Sequence, residues 1–146
     1  MSFFALPTLS EQKFTDYISA NYSGSYQVQK SFTASEYILP LILVKAGKFK
    51  EIEPGTNVFE GRLAVSVLTQ VDDASLNGDP VEIHDATVSA IYPLFADPSA
   101  VLSAVNGGAT FNLWSLYIES FEQERSDRAL VSIIEFIINV QTLAIQ

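Results

Sequence analysis

The chain has no cysteine and only one histidine, one tryptophan and one methionine. Missing thiols exclude disulfides, thiolate metal sites and cysteine nucleophiles together. They rule out an extracellular disulfide scaffold and leave the redox compartment open. With His84 alone, a Ser-His-Asp arrangement exists only if that residue is its base. Basic residues are scarce too: 8 Lys and Arg stand against 17 Asp and Glu, a formal net charge of −9. Binding nucleic acid by neutralising phosphates needs clustered Lys and Arg, so the composition argues against that mode.

Long apolar runs are also absent. The most apolar stretches, Tyr37 to Val44 and Ile133 to Ile145, fall short of the roughly 20 residues that span a bilayer. Met1 to Leu6 carries neither the positive region nor the apolar segment of a targeting signal, so the expectation is a soluble chain, off the membrane and made in the cytosol. What is present is folding material: 146 residues, 48% hydrophobic and 17% charged. That is the length of one domain, residues 1–146, with enough apolar content for a core and few enough charges to leave apolar surface for a partner.

The charge is unevenly placed. No Lys or Arg occurs between Arg62 and Arg125, where Asp72, Asp73, Asp79, Glu82, Asp85, Asp97, Glu119, Glu122 and Glu124 fall, and the rest of the chain balances its acids and bases. One strongly negative face follows. Solubility is the plainer use for such a face; repelling a polyanion or attracting a basic partner is the functional one. Lys45, Lys48 and Lys50 precede the acidic stretch, either as a solvated loop or as its counterpart on a neighbouring copy.

Local patterns set the elements. Pro7 followed by Thr8-Leu9-Ser10-Glu11 has the form of a capping box. Phe14, Tyr17 and Ile18 then share a helical face, and Asn21 to Gly24 supplies the stop. The apolar run to Val44 reads as a strand from about Pro40, since proline cannot donate to a sheet ladder. Pro54-Gly55-Thr56-Asn57 is a turn. Phe59 to Val71 alternates, with Phe59, Leu63, Val65, Val67 and Val71 on a dry face and Glu60, Arg62, Ser66 and Gln70 on a wet one.

Asp79-Pro80-Val81-Glu82 opens a second helix with Val88, Ile91, Tyr92 and Phe95 buried, which Pro93 kinks or ends early. Asp97-Pro98 opens a third, with Val101, Leu102 and Val105 on its apolar side, terminated by Asn106-Gly107-Gly108. Two strands close the chain, Phe111 to Phe121 and Ala129 to Leu143, paired as a hairpin across the charged connector Glu122 to Arg128. In the last run Leu130, Ile134, Phe136, Ile138 and Val140 line one face, while Val131, Ile133 and Ile137 make the other apolar too. Such a strand is central in a sheet or meets another subunit. The order α-β-β-α-α-β-β implies an α+β fold, a mainly antiparallel sheet with helices packed on one face.

Patterns that carry chemistry are weak. His84, beside Glu82 and Asp85, reads as a surface residue without a catalytic role. Asp72, Asp73, Asn77 and Asp79 lack the alternating spacing and terminal glutamate of a calcium loop, so no metal is expected. Gly61 and Gly107-Gly108 match no phosphate-cradling motif, so no cofactor is expected either. Paired carboxylates for glycoside hydrolysis are not selected by any spacing. Trp114, with Tyr117 nearby, is a stacking platform or, between Leu113 and Leu116, a core or interface residue. No positive sign of an enzyme emerges.

Taken together, Leu39-Pro40, the strand Phe59 to Val71 with its acidic end Asp72-Asp73, His84 within Ile83 to Phe95, the Gln123 to Leu130 connector and the hairpin from Phe111 to Thr142 resemble the tail-terminator or tail-completion proteins of tailed bacteriophages. The resemblance implies a structural virion protein of the tail and neck, assembled in the host cytoplasm. Copies would form a six-fold ring at the head-proximal end of the tail tube, contacting the tube protein and the neck while genome DNA passes through unbound. On this expectation Asp72, Asp73, Asp79, Glu119, Glu122 and Glu124 face the channel. Lys45, Lys48, Lys50, Val131, Ile133 and Ile137 meet neighbouring subunits. A head-to-tail connector or stopper, or an acidic ligand-binding module using Trp114 and nearby tyrosines, are the alternatives.

Overall fold

A computed structural model describes residues 6–31, 39–72, 78–106 and 111–142. The elements run α1 (Leu6–Asn21), β1 (Gln27–Lys30), β2 (Leu41–Glu51), β3 (Val58–Gln70), α2 (Pro80–Ala96), α3 (Pro98–Val105), β4 (Asn112–Arg125) and β5 (Ala129–Gln141). They form an α+β fold with one sheet in the order β1-β2-β3-β5-β4. Every strand pair is antiparallel except β1 with β2.

The chain leaves β3, crosses through α2 and α3 to the far edge as β4, and returns as β5 between β4 and β3. This insertion explains why β5 is apolar on both faces: it is central. Its register with β3 runs unbroken from Val58↔Gln141 to Gln70↔Ala129. The alternation of this strand is as read, with Phe59, Leu63, Val65 and Val67 buried, except at its end: β3 stops at Gln70, and Val71 is half-buried in the turn beyond it.

Helices cover one face only among the described residues. Ile42, Val44, Leu63, Val65, Val67, Leu116, Ile134, Phe136 and Ile138 share that face by register and pack with Phe14 and Ile18 of α1, Ile91 and Phe95 of α2, and Val101 and Val105 of α3. Aromatic rings tie the layers: Phe95 lies 4.7 Å from Phe136, 6.0 Å from Phe14 and 5.6 Å from Tyr17 between centroids. Full burial of each such ring contributes roughly 1.5–3 kcal/mol. The Tyr17 hydroxyl adds a 2.6 Å bond to the Leu94 carbonyl, joining α1 to α2.

Several expectations are corrected. Helix α1 already includes Leu6, so Thr8 is interior and no capping box forms. Ser10 instead donates to the Leu6 carbonyl, and Glu11 turns inward, only 4% exposed, where it accepts from Ser31 Oγ at 2.7 Å and from the Ala46 N–H at 2.8 Å. Pro93 does not end α2: in the last turn it removes a single ladder bond, and the break comes at Asp97, where the axes of α2 and α3 diverge by 81°. Tyr92 is only partly buried.

The segment Glu122 to Arg125 is strand rather than connector: it pairs with Leu130 to Ile133 of β5, and all four of its residues are exposed. Lys45, Lys48 and Lys50 lie on β2, not in a loop. Strand β1 is an addition: three polar residues and a single valine, Val28, are too little to carry a strand pattern.

Both proline-capped helix starts are as read. The Asp79 carboxylate accepts from the Val81 N–H and that of Asp97 from the Ser99 N–H, each at 3.1 Å. Asn106 caps α3 and exchanges bonds with the Leu113 backbone, so it also positions the start of β4. Glycines 107 and 108 lie outside the described residues. Asn57, at φ 62°, and Gly55, at φ 83°, make the turn between β2 and β3. Gly61 serves closeness instead: a Cβ there would sit 2.3 Å from the Phe49 ring across the strand pair. Among the described residues no single helix is long and apolar enough to cross a membrane.

Candidate functional site

The uncovered face and the two sheet edges hold most of the residues singled out by sequence. Strand β1 pairs only with Leu41 to Val44, so beyond Val44 the strand β2 is paired with β3 on one side and has no strand on the other among the described residues. Lys45, Lys48 and Lys50 are exposed on that open half. Lys45 and Lys50 flank a bulge between Ala46 and Phe49, and Lys48 lies within it. At the opposite edge the 14-residue β4 has no strand on its outer side among the described residues, with bulges between Leu113 and Ser115 and between Ile118 and Ser120.

The acidic candidates divide. Glu122 and Glu124 are exposed on β4, in register with Ile133 and Val131 of β5. Asp72 is exposed where β3 ends beside the turn joining β4 and β5, fixed by the Val71 N–H donating to the Arg128 carbonyl at 2.9 Å. These three gather at one end of the sheet. Glu119 stands apart, paired with Arg62 on the open face, and this carboxylate raises the Arg62 pKa. Asp79 is occupied as the cap of α2. Asp73 lies outside the described residues.

Among the apolar candidates, Val131 and Ile133 are partly buried and keep surface available. Ile137 is different at 6% exposed, flanked in register by Arg62 and Tyr117, so the folded chain itself covers it. Trp114 is not a core residue: it is 55% exposed at a bulge of the edge strand, and Tyr117 is 51% exposed. The core alternative for Trp114 thus falls away, while the platform and interface readings stay open; the bulge is what lets Leu113 and Leu116, three residues apart, both face the core with Trp114 left outside between them. Phe121 is exposed as well, with its ring 5.4 Å from Tyr92 of α2.

The largest departure from the sequence reading is His84, which is buried at 3% exposure rather than on the surface. Its Nδ1 lies 2.7 Å from Thr69 Oγ1 of β3 and its Nε2 2.8 Å from Ser132 Oγ of β5. Thr69 in turn meets the Tyr26 hydroxyl at 2.6 Å, and Ser132 accepts from Gln123 Nε2 of β4 at 3.0 Å. A continuous polar chain thus crosses the packed face of the sheet and reaches a recess of about 260 Å³ lined by Asp85, Glu124 and Arg125 among others.

Ser132, His84 and Thr69 have the order of nucleophile, base and orienter. The third member is a hydroxyl with no charge to stabilise an imidazolium, and Ser132 is itself buried. Burial holds the His84 pKa below its ordinary value, opposed by Asp85 and reinforced by Arg125. The arrangement therefore keeps a neutral imidazole with both nitrogens satisfied, pinning α2 to β3 and β5. Its signal in the sequence was Thr69 and Ser132, lone hydroxyls at core-facing positions of otherwise apolar series. Among the described residues no group of three or more His, Asp or Glu side chains is placed to hold a metal ion. In comparisons with known proteins, no family model matches the chain and no curated protein matches it.

Proposed function

We propose that this chain is a non-enzymatic, ring-forming structural subunit of the tail-terminator kind, placed at the head-proximal end of a phage tail tube, where it stops tube growth and joins tail to neck. The observation that carries the reading is the long edge strand β4, which holds Trp114 and Tyr117 out to solvent. Large aromatic side chains on an unpaired edge are costly to leave wet and effective when a partner covers them. Two different open edges in one sheet favour head-to-tail association, the geometry that closes rings. Asp72, Glu122 and Glu124, gathered at one end of the sheet, would face the conduit and repel the phosphates of passing DNA.

Sedimentation of the chain over a wide concentration range, with and without purified tail tubes, tests this proposal. The expected result is one uniform higher oligomer, or a monomer that assembles only on tubes, and electron micrographs then locate it at the tube end nearest the head. A band between head and terminator would instead make it a connector or stopper. A chain that stays monomeric under both conditions overturns the proposal.

The ligand-binding alternative keeps one supporting feature, the recess of about 290 Å³ that Trp114 shares with Ile52, Glu53, Thr56, Val58 and Gln141. Trp114 is the chain's only tryptophan. Its emission therefore reports on that recess alone, and a saturable change on titration with oligosaccharides would favour the module over the ring.

A further inference from the structure

We propose that β4 of one copy docks against the Lys45–Glu51 half of β2 of the next copy, and that opposite charge on these two edges selects this pairing over pairing of either edge with itself. The inference rests on the self-association reading above and names its contact.

An open strand edge presents unpaired N–H and C=O groups, and natural proteins blunt such edges with bulges and charges. Both devices occur at both edges of this sheet, but the charge differs in sign. On β2 the bulge at Ala46 to Phe49 is accompanied by Lys45, Lys48 and Lys50, all exposed. On β4 two bulges are accompanied by exposed Glu122 and Glu124. Neighbouring strands lie about 4.8 Å apart, well inside the roughly 8 Å screening length at physiological salt. Two β4 edges brought together would set glutamates against glutamates, and two β2 edges lysines against lysines. Among the exposed side chains of these stretches only the mixed pairing sets lysine against glutamate, since Glu51 is half-buried and its carboxylate accepts from the Asn57 N–H.

This difference decides symmetry. A patch that pairs with itself gives a closed dimer, whereas two unlike patches that pair give a ring or a filament. The edge charges thus act against the dimer and leave the head-to-tail contact open. Main-chain pairing on β2 is confined to the stretch beyond Ala46, because the Ala46 N–H is already taken by Glu11. Apolar adhesion comes from β4, where Trp114 and Tyr117 are exposed.

The test is a charge swap read by sedimentation velocity. One variant carries K45E, K48E and K50E; the other carries E122K and E124K, with Glu119 left in place because it pairs with Arg62. Each variant alone is expected to self-associate about 10-fold or more weakly than the wild type. An equimolar mixture of the two, and a single chain carrying all the substitutions, are expected to regain association to within about 3-fold. Unchanged urea midpoints show that the variants stay folded. Either variant assembling like the wild type, or no recovery in both the mixture and the combined chain, overturns the edge pairing while leaving self-association standing. A wild type that never associates overturns the self-association reading itself.

Discussion

The two faces of the central strand β5 have opposite fates. On one, Ile134, Phe136 and Ile138 disappear under the helices. On the other, Val131 and Ile133 stay partly open beside the exposed Glu122 and Glu124, although they are as apolar. The open face is the more mixed, since Glu135, Asn139 and Gln141 share it, but Val131 and Ile133 are as apolar as Ile134, and for them what differs is the cover. The covered face supports the fold, and the open face is available for assembly.

Truncation on the covered face gives the largest expected effect. Phe136→Ala removes a ring packed on Phe95 and is expected to cost about 3–5 kcal/mol, measured as a lowered urea midpoint. Were it nearly neutral, the helix layer would not hold the sheet.

The open face separates two isoleucines. Ile137→Asp forces a carboxylate into a position only 6% exposed and is expected to lose about 2–4 kcal/mol of stability. Ile133→Asp, on a partly open position, is expected to change stability by less than about 1 kcal/mol and to abolish assembly. Equal losses of stability would remove the distinction between covered and open positions on this face.

The His84 chain sharpens the comparison through pH. Its pKa is lowered in the fold, so the unfolded chain takes up a proton first as pH falls below about 6.5. The stability tied to neutral His84 is therefore present above that value and declines as pH falls through the folded pKa. Urea midpoints between pH 7.5 and 5 are expected to fall in the wild type and to fall less steeply in His84→Gln. Parallel slopes would mean the imidazole is not the titrating group. The smallest effect is at the rim: Asp79→Ala loses the bond to the Val81 N–H, expected to cost about 1 kcal/mol. A change in assembly without that loss would return Asp79 to the channel.

Legibility in the sequence followed locality. Strand β3 was readable because one strand with one dry face alternates, and the starts of α2 and α3 because Asp-Pro pairs cap with their own side chains. Glu11 was misread since the same residue type that closes a capping box also suits a buried acceptor once Ser31 and Ala46 arrive from elsewhere in the chain. Of the candidate site, the open lysines and the Glu122–Glu124 pair were visible as charge and Trp114 as a candidate, whereas the choice between core and surface for Trp114 needed a bulge that only pairing with β5 creates.

Sequence alone determined the α+β class, the capped helices, the alternation of β3 and the excess of acid between Arg62 and Arg125, because each depends on residues near one another along the chain. Tertiary structure decided that β5 is central, that His84 is buried between Thr69 and Ser132, and that the lysines and the glutamates occupy opposite open edges. Those outcomes depend on which strands become neighbours after the crossover through α2 and α3, and no local pattern specifies that.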